Sequence, residues 1–129
     1  MPYTITVENK VVRTALTGRI TAQDLVALTG ESKNYEENVD VVPHRITDMR
    51  GIEELAIHFP DISALAEKRG QVRFPNAVKS AIIAHDRLHL GYARMYQTLN
   101  HNPQMVIQIF PDEASALEWI AYPDALPGE

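Results

Sequence analysis

The segment Lys79-Ser-Ala-Ile-Ile-Ala-His85, followed by Leu88-His-Leu-Gly-Tyr-Ala-Arg-Met-Tyr-Gln-Thr-Leu99 and Met105-Val-Ile-Gln-Ile-Phe110, constrains the fold more than any other part of the chain. Ser80 to Ala84 is short, continuous and apolar, as a central strand covered on both faces must be. In the next segment Leu88, Tyr92, Met95 and Leu99 recur at helical spacing, while Arg94, Gln97 and Asn100 occupy the other side. Gly91 is expected to let this helix approach the sheet. Strand, helix and strand in this order form a right-handed crossover between parallel strands, which places the chain in the α/β class.

The flanking sequence extends that unit. Tyr3, Ile5 and Val7 alternate with Thr4, Thr6 and Glu8, the period of a half-buried strand. Asn9-Lys10 permits a tight turn into a second strand from Val11 to Thr17, ended by Gly18-Arg19. Thr21 and Asp24 resemble a capping box opening a helix with Leu25, Val26 and Leu28 on its apolar face. Arg45 to Met49 reads as a strand, and Gly51 to Pro60 as a loop longer than the usual αβ or βα connection. Asp61 is a predicted N-cap for a helix through Arg69, with Ile62, Leu65 and Ala66 inward and Gly70 as its stop. Pro111-Asp112 opens a last helix whose predicted buried stripe is Ala114, Leu117, Ile120 and Ala121. The order is β-β-α-β-α-β-α-β-α, a five-stranded mixed sheet with an N-terminal β-hairpin and about four helices.

A chain of 129 residues with 45% hydrophobic composition suits one domain over residues 1–129, with the proline-rich tail 122–129 expected to fray. Seventeen acidic residues against twelve basic ones give a net charge of −5, which disfavours nucleic acid and anionic membranes as partners. No cysteine is present, so disulfides, thiolate catalysis and cysteine-based metal or iron–sulfur sites are excluded. The N-terminus lacks a basic region followed by an apolar core, and no apolar run reaches the roughly 18 residues of a membrane span. The expectation is a cytoplasmic protein with no membrane insertion.

Ligands of open α/β sheets usually bind beyond the C-terminal ends of the parallel strands. That rule selects Asp48 and Arg50, His85 and Asp86, and Pro111 with Asp112. An Asp and a His on neighbouring strand ends could exchange protons, since a carboxylate orients imidazole and raises its pKa; the alternative is that Asp48 and Asp112 cap local backbone and His85 bonds at a helix entrance. His85 and His89 are four apart, but no His-Glu-x-x-His motif or third ligand accompanies them, so no metal is expected. No Gly-rich phosphate loop follows a strand and no Gly-x-Ser-x-Gly elbow occurs. Hydrolase and nucleotide-dependent readings lose their support, and no cofactor or enzymatic activity is expected. Tyr92, Met95, Tyr96 and Trp119 either pack the core or line an apolar cavity near the last two helices.

The stretches Gly18-Arg-Ile-Thr, Asp48-Met-Arg-Gly51, Lys79-Ser-Ala-Ile-Ile-Ala84, Gly91-Tyr-Ala-Arg-Met-Tyr96 and Val106-Ile-Gln-Ile-Phe-Pro-Asp-Glu-Ala-Ser-Ala-Leu-Glu-Trp-Ile120 resemble the SpoIIAA-like proteins, which share the STAS fold of anti-sigma-factor antagonists. The resemblance covers nearly the whole chain and is most specific in its C-terminal third. It implies a non-enzymatic regulatory or protein-interaction module with a protein partner, a second copy of the chain among the candidates. STAS domains often carry a phosphorylatable Ser or Thr in an Asp-Ser-Ser-Gly-like motif, and the matching segment here is His58-Phe-Pro-Asp-Ile-Ser63. Asp61 stands at the motif's Asp, yet the adjacent Ser-Ser-Gly is missing, which leaves Ser63 as a weak phosphorylation site. The comparison of STAS-like folds with apolar-ligand carriers implies an alternative, a small apolar ligand or lipid held near Tyr92, Tyr96 and Trp119.

Overall fold

The computed structural model describes residues 2–122. Strands β1 (Tyr3–Glu8) and β2 (Val11–Thr21) precede helix α1 (Ala22–Glu37), β3 (His44–Ala56), α2 (Phe59–Gly70), β4 (Val78–Ile83), α3 (Arg87–Leu99), β5 (Met105–Phe110) and α4 (Glu113–Ala121). The five strands form one sheet in the order β1-β2-β3-β4-β5. The β1–β2 pair is antiparallel and the other three pairs are parallel. Asn9 and Lys10 turn the hairpin with φ of 52° and 63°, the paired left-handed conformations that match strand twist across a two-residue turn.

Alternation along the strands divides the interior into two layers. One face of the sheet contributes Leu16, Ile20, Met49, Ile52, Ile82 and Ile107, which pack with Leu25 and Leu28 of α1 and Leu90, Ala93 and Tyr96 of α3. The other contributes Ile46, Ala81 and Ile83, covered by Ala116, Trp119 and Ile120 of α4. All six residues of β4 are buried, as a central parallel strand with helices on both faces requires.

Several boundaries depart from the sequence reading, each for a local reason. Strand β2 continues through Gly18 to Thr21, because Gly18 takes φ +68° beside a register shift between Gly18 and Arg19 and so lets the strand bend without ending. The expected Gly51–Pro60 loop is mostly strand. Residues 51–56 of β3 pair with β2 from Thr17 to Thr21, beyond the point where β4 ends. The register advances from Ala15↔Asp48 to Thr17↔Gly51 and from Gly18↔Ile52 to Arg19↔Glu54, so β3 accommodates two extra residues as bulges. A Cβ on Gly51 would lie 2.9 Å from the Leu16 carbonyl oxygen, a contact only glycine avoids.

Helix α2 begins at Phe59, with His58 as N-cap and Asp61 at the third helical position, where its Oδ2 accepts a 2.8 Å bond from the His58 N–H. Pro60 in the first turn suits this earlier start. In α1 the Thr21–Asp24 capping box is present, but Val26 points to solvent, and Thr29, Ser32 and Glu36 are the buried positions. Gly91 lies on the exposed side of α3 with no neighbour near its missing Cβ, so it provides no close approach to the sheet; Leu88 is exposed, while His89 and Ala93 are buried. In α4 the buried pair is Ala116 and Ile120, and Leu117 is 43% exposed. The tail beyond residue 122, expected to fray, lies outside the described residues.

Lys79 is the largest fully buried side chain of β4. Its Nζ donates to the carbonyl oxygens of Trp119 (2.8 Å), Ile120 and Tyr122, and lies 5.3 Å from the centre of the Trp119 ring. The end of a helix offers unpaired carbonyls and a negative dipole pole, so the ammonium finds compensation there with no acidic partner among the described residues.

Candidate functional site

Two groups of polar side chains are held by the sheet, one on each face. Under α4, Asp48 of β3 accepts from Arg13 Nη2 at 2.6 Å and from Arg50 Nε and Nη2 at 3.0 and 2.9 Å, and its Oδ1 also accepts from the Arg50 N–H. Glu113, in the first turn of α4, accepts from Arg13 Nη2 at 2.8 Å. Burial pushes the Asp48 carboxyl up, but the Arg50 hydrogen bonds and the charges of Arg50 and Arg13 outweigh it and hold it below the usual carboxylate range. The cluster is charge-balanced, two cations against two anions.

Asp48 and Arg50, singled out as strand-end residues, are thus brought together, but neither joins His85. Among the described residues Asp48 makes no hydrogen bond or ion pair with His85, which is exposed after β4 in a crevice with Phe110, Pro111 and Arg94. Asp86 caps α3, accepting from the Leu88 N–H at 2.9 Å. Asp48 pairs with Ile83, the last residue of β4, so Asp48 and Arg50 lie where β4 ends, while β3 itself continues to Ala56. Ser63 sits in the second turn of α2, partly buried.

Because the folded Asp48 carboxyl titrates below the unfolded value of about 3.9, its contribution is complete above that pH and is lost as acid carries through the folded value. Asp48→Asn is expected to lower stability at pH 7 by about 1–2 kcal/mol, since both arginines remain partly solvated. The difference from the parent should shrink as pH falls below about 4. Urea melts at several pH values check this; Asp86 and Asp112, also held low by helix N–H groups, are common to both proteins and cancel.

On the other face a partly enclosed cavity of about 110 Å³ lies between the sheet and helices α1, α2 and α3. Tyr92 and Tyr96 line it; Trp119 does not, because α4 covers the opposite face, where its ring packs 5.5 Å from Phe110. The apolar end of the cavity is formed by Leu25, Leu55, Ile57, Ile62 and Tyr92, whose hydroxyl donates to the Ile57 carbonyl at 3.1 Å. The polar end is formed by Arg45, Arg69, Ser32, Ser80 and Tyr96. Behind it Arg69 Nη1 and Nη2 grip the Glu36 carboxylate at 2.9 and 2.7 Å, a fork geometry with both side chains almost wholly enclosed.

Arg45 approaches the same carboxylate only at 3.6 Å. Burial, and then the charge of Arg69, destabilise the Arg45 cation, and Glu36 offsets only part of this. For Arg69 burial acts in the same sense, but the bidentate Glu36 more than restores the charged form. Sequence reasoning missed Glu36, Arg45 and Arg69. A signal exists for two of them: Glu36 continues the buried positions Thr29 and Ser32 of α1, and Arg69 continues Ile62 and Ala66 of α2. A charge that continues an inward stripe requires a buried partner.

No family model matches the chain, and no curated protein matches it. Among solved structures it is similar to an uncharacterized protein from the DUF3478 family with a SpoIIAA-like fold from Shewanella loihica PV-4, at 17% sequence identity and a TM-score of 0.60, over 92% of both chains. The chain accordingly has a SpoIIAA-like α/β fold, in agreement with the five-stranded mixed sheet and its N-terminal hairpin. Among the described residues no helix is long and apolar enough to cross a membrane.

Proposed function

We propose that this protein is a binding module for a small, mostly apolar molecule held between the sheet and helices α1 to α3. The observation that carries this is the cavity itself. Protein interiors pack as densely as organic crystals, with few voids larger than a water molecule, whereas here about 110 Å³ remains among Leu, Ile, Met and Tyr side chains from three strands and three helices. Apolar cavities of roughly 150 Å³ admit a benzene ring, so the available space suits a single ring or a short acyl chain. Binding there needs no reacting group, consistent with a non-enzymatic role. The regulatory or protein-interaction role expected from the fold has only the fold in its support, while the cavity belongs to this chain's own residues.

Titration with 1-hexanol, followed by NMR and thermal melting, tests the reading. Saturable binding is expected, with shifts centred on Leu25, Leu55, Ile57 and Tyr92 and a rise in Tm, because a ligand bound only to the folded state stabilises it. Ala93→Leu extends a side chain into the space and should weaken hexanol about 10-fold or more by denying the apolar contacts. A parent protein whose spectrum and Tm ignore hexanol contradicts the proposal.

A further inference from the structure

We infer that the cavity selects a small amphipathic carboxylate, a short-chain or single-ring organic acid, whose head group meets Arg45 while its apolar body extends toward Leu55 and Tyr92. The inference rests on the cavity reading above and adds the chemical class of the ligand. Two of the residues lining the cavity are cations, Arg45 and Arg69, and among the described residues none of the lining is an acid. Glu36, just behind them, is committed to Arg69 through both of its oxygens, leaving one positive charge in excess.

Among the described residues the Arg45 guanidinium makes no hydrogen bond, and its contact with Glu36 at 3.6 Å is an ion pair only. The Ser32 and Ser80 hydroxyls likewise have no hydrogen-bond partner there, yet no fully enclosed side-chain polar atom lacks one. The unpaired N–H and O–H groups therefore each keep accessible surface, on residues that line the cavity. A desolvated cation short of counter-charge is unfavourable, and a planar carboxylate matches the guanidinium fork in charge and shape.

The placement also sets orientation. Arg45 lies near the start of β3 and Leu55 near its end, so the donors and the apolar lining are separated along one strand. A molecule with its charge at one end and its carbon skeleton at the other satisfies both, whereas a neutral apolar molecule leaves Arg45 uncompensated.

Calorimetric titration of the full chain with hexanoate and with 1-hexanol at neutral pH tests this. Hexanoate is expected to bind more tightly than hexanol by about 10-fold or more, the scale of a hydrogen bond to a charged group. In Arg45→Met, close to Arg in stem volume and lacking the charge, the ratio of hexanoate to hexanol affinity should fall by about 10-fold or more, because the charge that favours the carboxylate is gone. The parent comparison requires no variant to fold. Hexanol binding as well as hexanoate in the parent overturns the carboxylate assignment and leaves the cavity reading standing. Neither molecule binding overturns both, and a hexanoate preference that survives in a folded Arg45→Met protein overturns the role of Arg45.

Discussion

Glu36→Ala is expected to lower the free energy of unfolding by about 3–5 kcal/mol, because removing one partner of a buried ion pair leaves an uncompensated charge. Arg69 is 3% exposed and gives both terminal nitrogens to Glu36, and Arg45 has no other carboxylate within ion-pair distance among the described residues. The alanine variant would hold two guanidinium groups in one desolvated layer with no anion between them. Replacing the pair by apolar groups of similar shape removes the buried charge along with the attraction, and such exchanges are often neutral. Glu36→Leu combined with Arg69→Met should therefore recover part of the loss, the Arg45 cation alone being left without its anion. Urea unfolding of the three proteins decides the matter. A Glu36→Ala loss below about 1 kcal/mol would mean that water reaches Arg69 and that the layer is wetter than a buried pair implies.

Ile46→Ala is expected to lose about 2–5 kcal/mol, the range for truncating a buried aliphatic side chain that leaves a cavity. Ile46 is 1% exposed between the sheet and α4, against Ala81, Ile83, Ala116 and Ile120. Leu117→Ala, on the same helix that Ile46 supports, should change stability by about half a kilocalorie or less, as surface substitutions do. Parallel denaturant melts of the two variants test the docking of α4 directly. Comparable losses would mean that the helix is rotated from its position over residues 116 and 120.

The contrast between Ile46 and Leu117 also shows where the amino-acid sequence is legible. Ala114, Leu117, Ile120 and Ala121 form a plausible stripe at helical spacing, but Ala116 and Ile120 form another, and in a nine-residue helix nothing local chooses between them. The choice is made by the sheet residues beneath. Strand β4 and helix α3 were easier: continuous apolar residues and a recurrent aromatic and Met spacing survive without knowledge of neighbours. The second half of β3 was not readable as strand because its two bulges break the alternation, leaving Ile52, Leu55 and Ile57 at spacings that match neither a strand nor a helix. Of the candidate residues, Tyr92 and Tyr96 were visible through that aromatic spacing, while Arg45 lies in a strand where a charge ordinarily signals an outward face. Only the packing of α1 and α2 over that face turns Arg45 and Arg69 inward beside Glu36.

The anchoring of Lys79 makes the C-terminal helix self-reporting. Its amine is hidden while α4 stays docked and reaches water only when the carbonyls of residues 119, 120 and 122 move away. Lys10, Lys33 and Lys68 are exposed throughout. The rate at which an acylating reagent modifies Lys79, normalised to those three and compared with the rate that global unfolding alone would allow, measures how often this one helix detaches while the sheet remains assembled.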